Sequence, residues 1–127
     1  MAPDPSVQAV KRLVRWFRDE GPDLPWRSTR DRWAVLVSEV MLQATPVSRV
    51  LPFYDAWMRR WPRPGDLAAE PLGEAIAAWQ GLGYPRRARN LHAASVVVAR
   101  DGWPPADRYQ DLPGVGAYTA AALRCFA

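Results

Sequence analysis

Apolar residues recur at intervals of three and four along nearly the whole chain, the spacing that places them on one face of an α-helix. Breaks in the pattern fall at Pro and Gly, which begin or end helices. The segment "SVVVA" at 95–99 is β-branched, but it continues a helical stretch. We therefore predict an all-α fold. Its helices are expected over about residues 5–20, 32–44, 46–60, 65–69, 72–79, 85–101, 107–111 and 117 to the last residue.

Local signals refine some of these boundaries. Thr45 is predicted to cap the third helix, with Pro46 in its first turn, and Pro85 is predicted to open the Arg-rich helix. The last helix is still apolar at Ala127 and lacks the signals that usually end a helix. We therefore expect the sequence to be cut inside that helix, and residues 1–127 to be the N-terminal part of one helical domain.

The composition narrows the class of protein. A chain of 127 residues is long enough for one domain with its own core. The net charge is +4, and a basic chain rich in Arg and aromatic residues suits a polyphosphate partner. One cysteine, Cys125, excludes a disulfide or a cysteine-based metal site formed within this chain. No apolar run approaches the roughly 20 residues that span a bilayer, and no signal peptide is recognisable, so we expect a soluble cytosolic protein.

The longest apolar run carries a carboxylate near its middle. Glu39 lies in "SEVMLQAT", residues 38–45, directly after "DRWAVLV", and an unpaired carboxylate is costly to bury. Ser38, Glu39 and Gln43 fall close together on the predicted helix. One interpretation is a narrow solvent-exposed stripe. The other turns this stripe towards a cleft, where desolvation would keep the carboxyl protonated and able to donate a proton near neutrality.

A Gly-rich turn, "LPGVG" at 112–116, lies between two predicted helices. Gly114 and Gly116 allow backbone conformations that a Cβ would forbid. Such a turn, with Val115 between the glycines, can point successive N–H groups at a phosphate at the start of the next helix. The contact would not depend on DNA sequence, because no side chain is needed. The alternative is a tight connection between packed helices.

The segment "GLGYPRRARNLH", residues 81–92, places an aromatic residue on a turn just before several arginines. Arg86 and Arg87 could clamp a nucleic-acid backbone, and Tyr84 could stack on bases or wedge between them. The alternative is a solvated basic helix face with a tyrosine packed on the core.

Taken together and in order, "LPWR", "SEVMLQAT", "GLGYPRRARNLH" and "LPGVGAYTAAAL" resemble the helix-hairpin-helix DNA glycosylases, most closely the adenine glycosylases of the MutY type. The resemblance runs from about Trp16 to the last residue. It implies a cleft between two helical modules that receives a flipped nucleotide. It also implies base excision repair of adenine mispaired with 8-oxoguanine or guanine.

The resemblance assigns roles to individual residues. Glu39 would be the general acid that protonates the adenine ring, and Tyr118 a catalytic-pocket residue close to it. Tyr84 would wedge into the double helix beside 8-oxoguanine. The other matches line the adenine pocket, at Trp26 and Arg27, or the opposite-base side, at Gln43, Thr45 and Leu82.

Tyr118 also discriminates within the superfamily. Relatives of the endonuclease III type carry a Lys there as a Schiff-base nucleophile, and a Tyr cannot form that imine. A monofunctional glycosylase is therefore expected. Two positions depart from the adenine-glycosylase pattern: Ala44 stands where a second Gln is usual, and Pro85 stands where a second Tyr is usual. Ala44 bears on lesion discrimination, whereas Pro85 suits the first turn of a helix.

Other parts of the family pattern are expected beyond Ala127. They are the second catalytic carboxylate, the four cysteines of a 4Fe-4S cluster and a lesion-reading C-terminal domain. This chain supplies none of the cluster ligands, and we expect it to be inactive by itself. The expected partner is double-stranded DNA with a flipped adenine. The protein is expected to be a monomer without a membrane contact, cytoplasmic and associated with the nucleoid.

Two alternatives remain open from the sequence. One is a helix-hairpin-helix module that binds DNA without catalysis. The other is a mismatch glycosylase of the same superfamily that acts on thymine or uracil.

Overall fold

A computed structural model describes Pro25, Trp26 and residues 29–127. The helix predicted over about residues 5–20 lies outside these residues. Every regular element from Thr29 to Ala127 is helical, which confirms the predicted all-α class. The elements are α1 (Arg32–Leu42), α2 (Val47–Arg60), α3 (Pro64–Ala68), α4 (Leu72–Trp79), α5 (Arg86–Asp101), a 3-10 helix (Ala106–Asp111) and α6 (Ala117–Phe126).

Helix α1 is the central element of the described fold. It begins after Asp31, whose side chain accepts a hydrogen bond from the backbone N–H of Trp33 at 3.4 Å. Most of its residues are buried, and it packs against α2, α5 and α6. A helix that is apolar nearly all round belongs inside a protein rather than at its surface. The packing of α1 therefore positions the helices around it.

Tryptophans form the part of the core that lies between α1, α2 and α4. Trp33, Trp57, Trp61 and Trp79 are each at most 2% exposed. The Trp57 ring meets Trp61 and Trp79 edge-on, at centroid distances of 4.7 and 5.6 Å. The Trp33 indole N–H donates to the Trp61 carbonyl at 2.8 Å. This hydrogen bond fixes the end of α2 against the start of α1, because a buried carbonyl needs a partner.

The segment between α1 and α2 corrects two predictions. Helix α1 ends at Leu42 rather than at residue 44, because Gln43 is extended and Ala44 has a left-handed φ of 57°. The prediction that Thr45 caps the next helix is wrong: Pro46 holds the N-cap position, and α2 has no side-chain cap. The Thr45 hydroxyl instead donates to the Gln43 carbonyl at 3.3 Å. Its hydrogen bonds therefore stabilise the turn and not the helix.

The remaining helices lie within one or two residues of their predicted bounds. Pro85 precedes α5 as its N-cap residue rather than standing inside it. The turn expected near residue 107 is a 3-10 helix of 6 residues. In the described part of the chain, no helix combines the length and apolar character that crossing a membrane needs.

The indole hydrogen bond of Trp33 gives a first prediction. Trp33→Phe should lower the free energy of unfolding by about 1–3 kcal/mol, because the buried Trp61 carbonyl loses its donor. The control is Trp103→Phe at a half-buried position, which should cost less than about 1 kcal/mol. Urea unfolding followed by far-ultraviolet circular dichroism measures both. Equal losses in the two variants would contradict a special role for the Trp33 hydrogen bond.

Candidate active site

Glu39 lies on α1 and is half-buried, whereas both of its chain neighbours, Ser38 and Val40, are buried. Ser38 is 1% exposed, and its hydroxyl donates to the Val35 carbonyl at 2.9 Å. The three polar residues of this region therefore do not form one solvent-exposed stripe. Ser38 belongs to the core, and the carboxylate of Glu39 emerges at the edge of a buried helix.

Tyr118 reaches the same region from the first turn of α6. Its side chain is 43% exposed. Burial raises the pKa of the Tyr118 hydroxyl, and the negative charge of Glu39 raises it further. Both effects favour the neutral phenol at physiological pH. The two side chains are thus electrostatic neighbours, although 79 positions separate them in the sequence (118 − 39).

A hydrogen bond ties α1 to α6 beside this pair. The Gln43 side-chain amide donates to the Thr119 hydroxyl at 3.2 Å, and Thr119 is 1% exposed. Gln43 lies one turn after Glu39, and Thr119 directly follows Tyr118. The bond therefore joins the helices that carry the two candidate catalytic residues. Thr119 was not identified from the sequence, where it is one small residue in an apolar helix.

The Gly-rich turn packs tightly on α5. Gly114 has a left-handed φ of 76°. A Cβ added to Gly114 would lie only 2.6 Å from the Cβ of Asn90. Gly116 is the N-cap residue of α6, with φ −91°, and a Cβ there would meet nothing within 4 Å. Glycine is therefore required at position 114 and not at 116. Asn90 forms the surface that the turn rests on, and it was not identified from the sequence.

The backbone of the turn leads directly into α6, where the first N–H groups have no partner within the helix. Val115 is 6% exposed and holds the turn against the core. The two interpretations of this segment are compatible: the turn is a tight connection between helices, and it also presents the start of α6.

The turn before α5 presents Tyr84. This side chain is 69% exposed, and its φ of 53° is left-handed, which is uncommon outside glycine. Leu82 is 5% exposed and anchors the turn in the core. The aromatic ring is therefore exposed to solvent, and the buried Leu82 anchors the turn two residues before it.

The two neighbouring arginines behave differently. Arg86 is exposed at the start of α5. Arg87 points into the protein, where it donates to the Val40 carbonyl at the end of α1 at 3.0 Å. Both were predicted to contact a DNA backbone; in the structure the Arg87 side chain makes its contacts within the protein, and the Arg86 side chain is at the surface.

Trp26, predicted to line the pocket, is 6% exposed and meets the ring of Tyr54 edge-on at 4.9 Å. Burial raises the pKa of Tyr54 to about 12, and the charge of Asp31 adds to the shift. Arg27, the other predicted pocket residue, lies outside the described residues. Across residues 29–127, together with Pro25 and Trp26, no group of three His, Cys, Asp or Glu is arranged to hold a metal ion.

Comparison with known proteins adds to this geometry. The family described as HhH-GPD superfamily base excision DNA repair protein matches residues 37–124. An adenine DNA glycosylase of Mycolicibacterium smegmatis is 48% identical over 127 aligned positions, and the match covers 96% of this chain and 43% of that protein. An adenine DNA glycosylase of Homo sapiens is 44% identical, with 91% of this chain and 23% of that protein covered. The chain thus spans less than half the length of these relatives.

A solved structure with the same arrangement is that of a thermostable thymine-DNA glycosylase. It has a TM-score of 0.77 and 29% sequence identity, and the match covers 96% of this chain and 61% of that one. The similarity extends over nearly all of the present chain.

The contact between Gly114 and Asn90 gives a second prediction. Gly114→Ala should cost about 2 kcal/mol or more, because Ala is strained at this φ and its Cβ would overlap Asn90. Gly116→Ala is the matched control and should change stability by less than about 0.5 kcal/mol. Thermal unfolding of both variants measures the difference. A similar loss in both would mean that the close approach at position 114 does not limit stability.

Proposed function

The chain belongs to the HhH-GPD superfamily of base excision DNA repair proteins, and we propose that it forms the helical part of an adenine DNA glycosylase. The proposed substrate is duplex DNA in which adenine is mispaired with 8-oxoguanine or guanine. The observation that carries the proposal is the half-buried Glu39 on α1 with Tyr118 beside it at the start of α6. The similarity to adenine DNA glycosylases of bacteria and of Homo sapiens supports the choice of base.

In this proposal Glu39 is the general acid. A flipped adenine enters the space beside α1, and the Glu39 carboxyl donates a proton to the adenine ring. The protonated base is a better leaving group, so the glycosidic bond breaks more readily. Cleavage of a glycosidic bond generally uses two carboxylic groups, and Glu39 supplies one of them. The buried neighbours of Glu39 support its role, because they limit the access of water to one side of the carboxyl.

Tyr118 is the second pocket residue. Its hydroxyl is a neutral phenol at physiological pH, and its raised pKa disfavours ionisation further, so it can donate a hydrogen bond without adding charge. It provides no amine for a Schiff base, and the proposed enzyme is therefore a monofunctional glycosylase. The bond between Gln43 and Thr119 supports the same pocket by holding α1 and α6 together.

The DNA backbone is proposed to lie across the start of α6 and the start of α5. The N–H groups of Gly116 and of the first turn of α6 can bind a phosphate without reading sequence. Gly114 shapes the turn, and the Val115 N–H donates to the Leu112 carbonyl at 3.1 Å. Arg86 is exposed and free to approach a second phosphate. Tyr84 would wedge into the duplex beside the opposite base, and its exposed ring suits that role.

Gln43, Thr45 and Leu82 are proposed for the opposite-base side. Leu82 contributes through its backbone and its anchoring of the turn rather than as an exposed contact, because its side chain is buried. Trp26 and Arg27 are proposed for the adenine pocket.

The family that this chain resembles holds its 4Fe-4S cluster with four cysteines. This chain has one cysteine, so it would not form the cluster site by itself.

A second candidate substrate is thymine in a mismatch. The solved thymine-DNA glycosylase has the same fold over nearly the whole chain, and this supports the alternative. Single-turnover assays separate the two candidates when they use two duplexes of the same sequence, one with adenine opposite 8-oxoguanine and one with a mismatched thymine. An adenine glycosylase releases the adenine and leaves the thymine in place. A helix-hairpin-helix module without catalysis would bind these duplexes and release no base.

Replacement of the proposed acid gives the third prediction. In the full-length gene product, Glu39→Gln should reduce single-turnover adenine release at least about a hundredfold and leave duplex affinity within a few fold, because a general acid acts on the chemical step. The matched control is Glu74→Gln, which removes an exposed carboxylate paired with Arg60 on the protein surface. Release of adenine at nearly the normal rate by Glu39→Gln would remove Glu39 from the mechanism.

The proposed backbone contacts give the fourth prediction. Duplex affinity should fall steeply with salt, and Arg86→Ala should reduce the slope of log affinity against log salt by about one, because each lost phosphate contact releases one fewer counterion. Fluorescence anisotropy titrations at several salt concentrations measure the slope. An unchanged slope in Arg86→Ala would place the phosphate contacts elsewhere.

A further inference from the structure

The guanidinium of Arg87 is the most heavily bonded side chain in the described residues. One terminal nitrogen donates to the carbonyls of Val40 at 3.0 Å, Met41 at 3.2 Å and Gln43. The other donates to the Thr45 hydroxyl at 3.1 Å and to two carbonyls of the turn before α5, Leu82 at 3.3 Å and Gly83 at 3.2 Å. A single side chain therefore joins the end of α1, the 43–45 segment and the 82–84 turn.

These contacts occupy every hydrogen of the two terminal nitrogens. The two terminal nitrogens of a guanidinium carry four hydrogens, and six protein oxygens share them. The remaining nitrogen, Nε, is buried and has no hydrogen-bond partner. The plane lies over Trp79, with its carbon 5.3 Å from the ring centroid, and near Tyr84 at 5.6 Å. A phosphate contact by Arg87 would require these interactions to break.

Both segments that Arg87 joins contain a left-handed residue. Among the described residues, Ala44 and Tyr84 are the two non-glycine residues with positive φ, at 57° and 53°. Ala44 lies between two Arg87 acceptors, Gln43 and Thr45, and Tyr84 directly follows a third, Gly83. Such conformations cost free energy and persist only where surrounding contacts impose them. The Arg87 guanidinium is the contact that the two segments share.

We propose that Arg87 is a positioning residue that fixes the 43–45 segment and the Tyr84 turn relative to each other, and thereby sets how the protein engages the base opposite the excised one. The proposal rests on the proposed glycosylase function. Arg87 touches no DNA in it. It holds the Tyr84 ring outward and keeps Gln43 within reach of Thr119, so one side chain links the opposite-base side to the helix that carries Glu39.

Lysine cannot replace this arrangement. An ammonium is a single point of charge with three hydrogens, whereas the planar guanidinium reaches acceptors on both of its edges and stacks on Trp79. Arg87→Lys keeps the charge and therefore separates positioning from simple electrostatics. A lost phosphate contact would be partly restored by Lys, and a lost bridge between two segments would not.

The test uses the full-length gene product with Arg87→Lys, Arg87→Ala and the control Arg100→Lys, which alters an exposed arginine paired with its neighbour Asp101. Three quantities are measured: the salt slope of duplex affinity, the single-turnover rate of adenine release at saturating protein, and the fluorescence of 2-aminopurine placed next to 8-oxoguanine. The last reports unstacking by the Tyr84 wedge.

Both Arg87 variants should keep the salt slope of the unchanged protein. They should lower adenine release from the 8-oxoguanine mispair at least about tenfold, with a smaller loss from the guanine mispair, and they should reduce the 2-aminopurine signal. Arg100→Lys should match the unchanged protein in all three. A salt slope reduced by about one in Arg87→Ala and restored in Arg87→Lys, with normal 2-aminopurine fluorescence, would identify a phosphate contact and overturn the proposal.

Two further measurements keep the outcome decisive. If Arg87→Lys is too unstable to purify, it is combined with Ala44→Gly, because glycine relieves the left-handed strain at position 44. The combined variant should be folded and should still lack the 2-aminopurine signal; a normal signal would overturn the proposal. If the unchanged protein releases no base from any mispair, the proposed function fails, and the salt slope with 2-aminopurine still decides the role of Arg87.

Discussion

The central constraint on this fold is that α1 is buried nearly all round and still carries a carboxylate. Eight of its 11 residues are buried, so the helix can rotate very little without exposing large apolar side chains. That restriction fixes where Glu39 emerges. It also fixes where the last carbonyls of α1 point, and these have no partner within the helix. The packing of α1 therefore fixes the positions of both the Glu39 carboxylate and the last carbonyls of the helix, and the neighbouring segments are arranged around them.

The tryptophan cluster extends this rigidity from the core to the candidate site. Trp57 meets Trp79 edge-on inside the protein. The indole N–H of Trp79 in turn donates to the Gly83 carbonyl at 2.9 Å, in the turn that presents Tyr84. The Arg87 guanidinium lies over the same Trp79 ring, and desolvation there lowers its pKa. Buried aromatic area thus stabilises a polar network at its edge, and the turn that carries the exposed Tyr84 ring is hydrogen-bonded to that network.

Helical periodicity predicted the fold well because most of these helices bury one face, and the positions of Pro and Gly marked their ends. It failed at Thr45, a residue type that often caps helices. Here its hydroxyl donates to the Gln43 carbonyl and accepts from Arg87 instead. The sequence also identified three candidate site residues. In the structure Glu39 is half-buried, Tyr118 is close enough to feel the charge of Glu39, and Tyr84 is exposed. The sequence could not select Thr119 or Asn90, because each acts through a contact with a residue distant in sequence and carries no local signal.

The contrast between Arg86 and Arg87 shows why composition alone misassigns basic residues. Successive residues on an α-helix point about 100° apart, so two adjacent arginines can meet different environments. At the start of α5, one direction faces solvent and the other faces the end of α1. Arg87 therefore adds donors to carbonyls at the end of α1, and Arg86 keeps its charge at the surface. Of the two adjacent arginines, Arg87 therefore holds segments of the protein together, and Arg86 remains available to a partner.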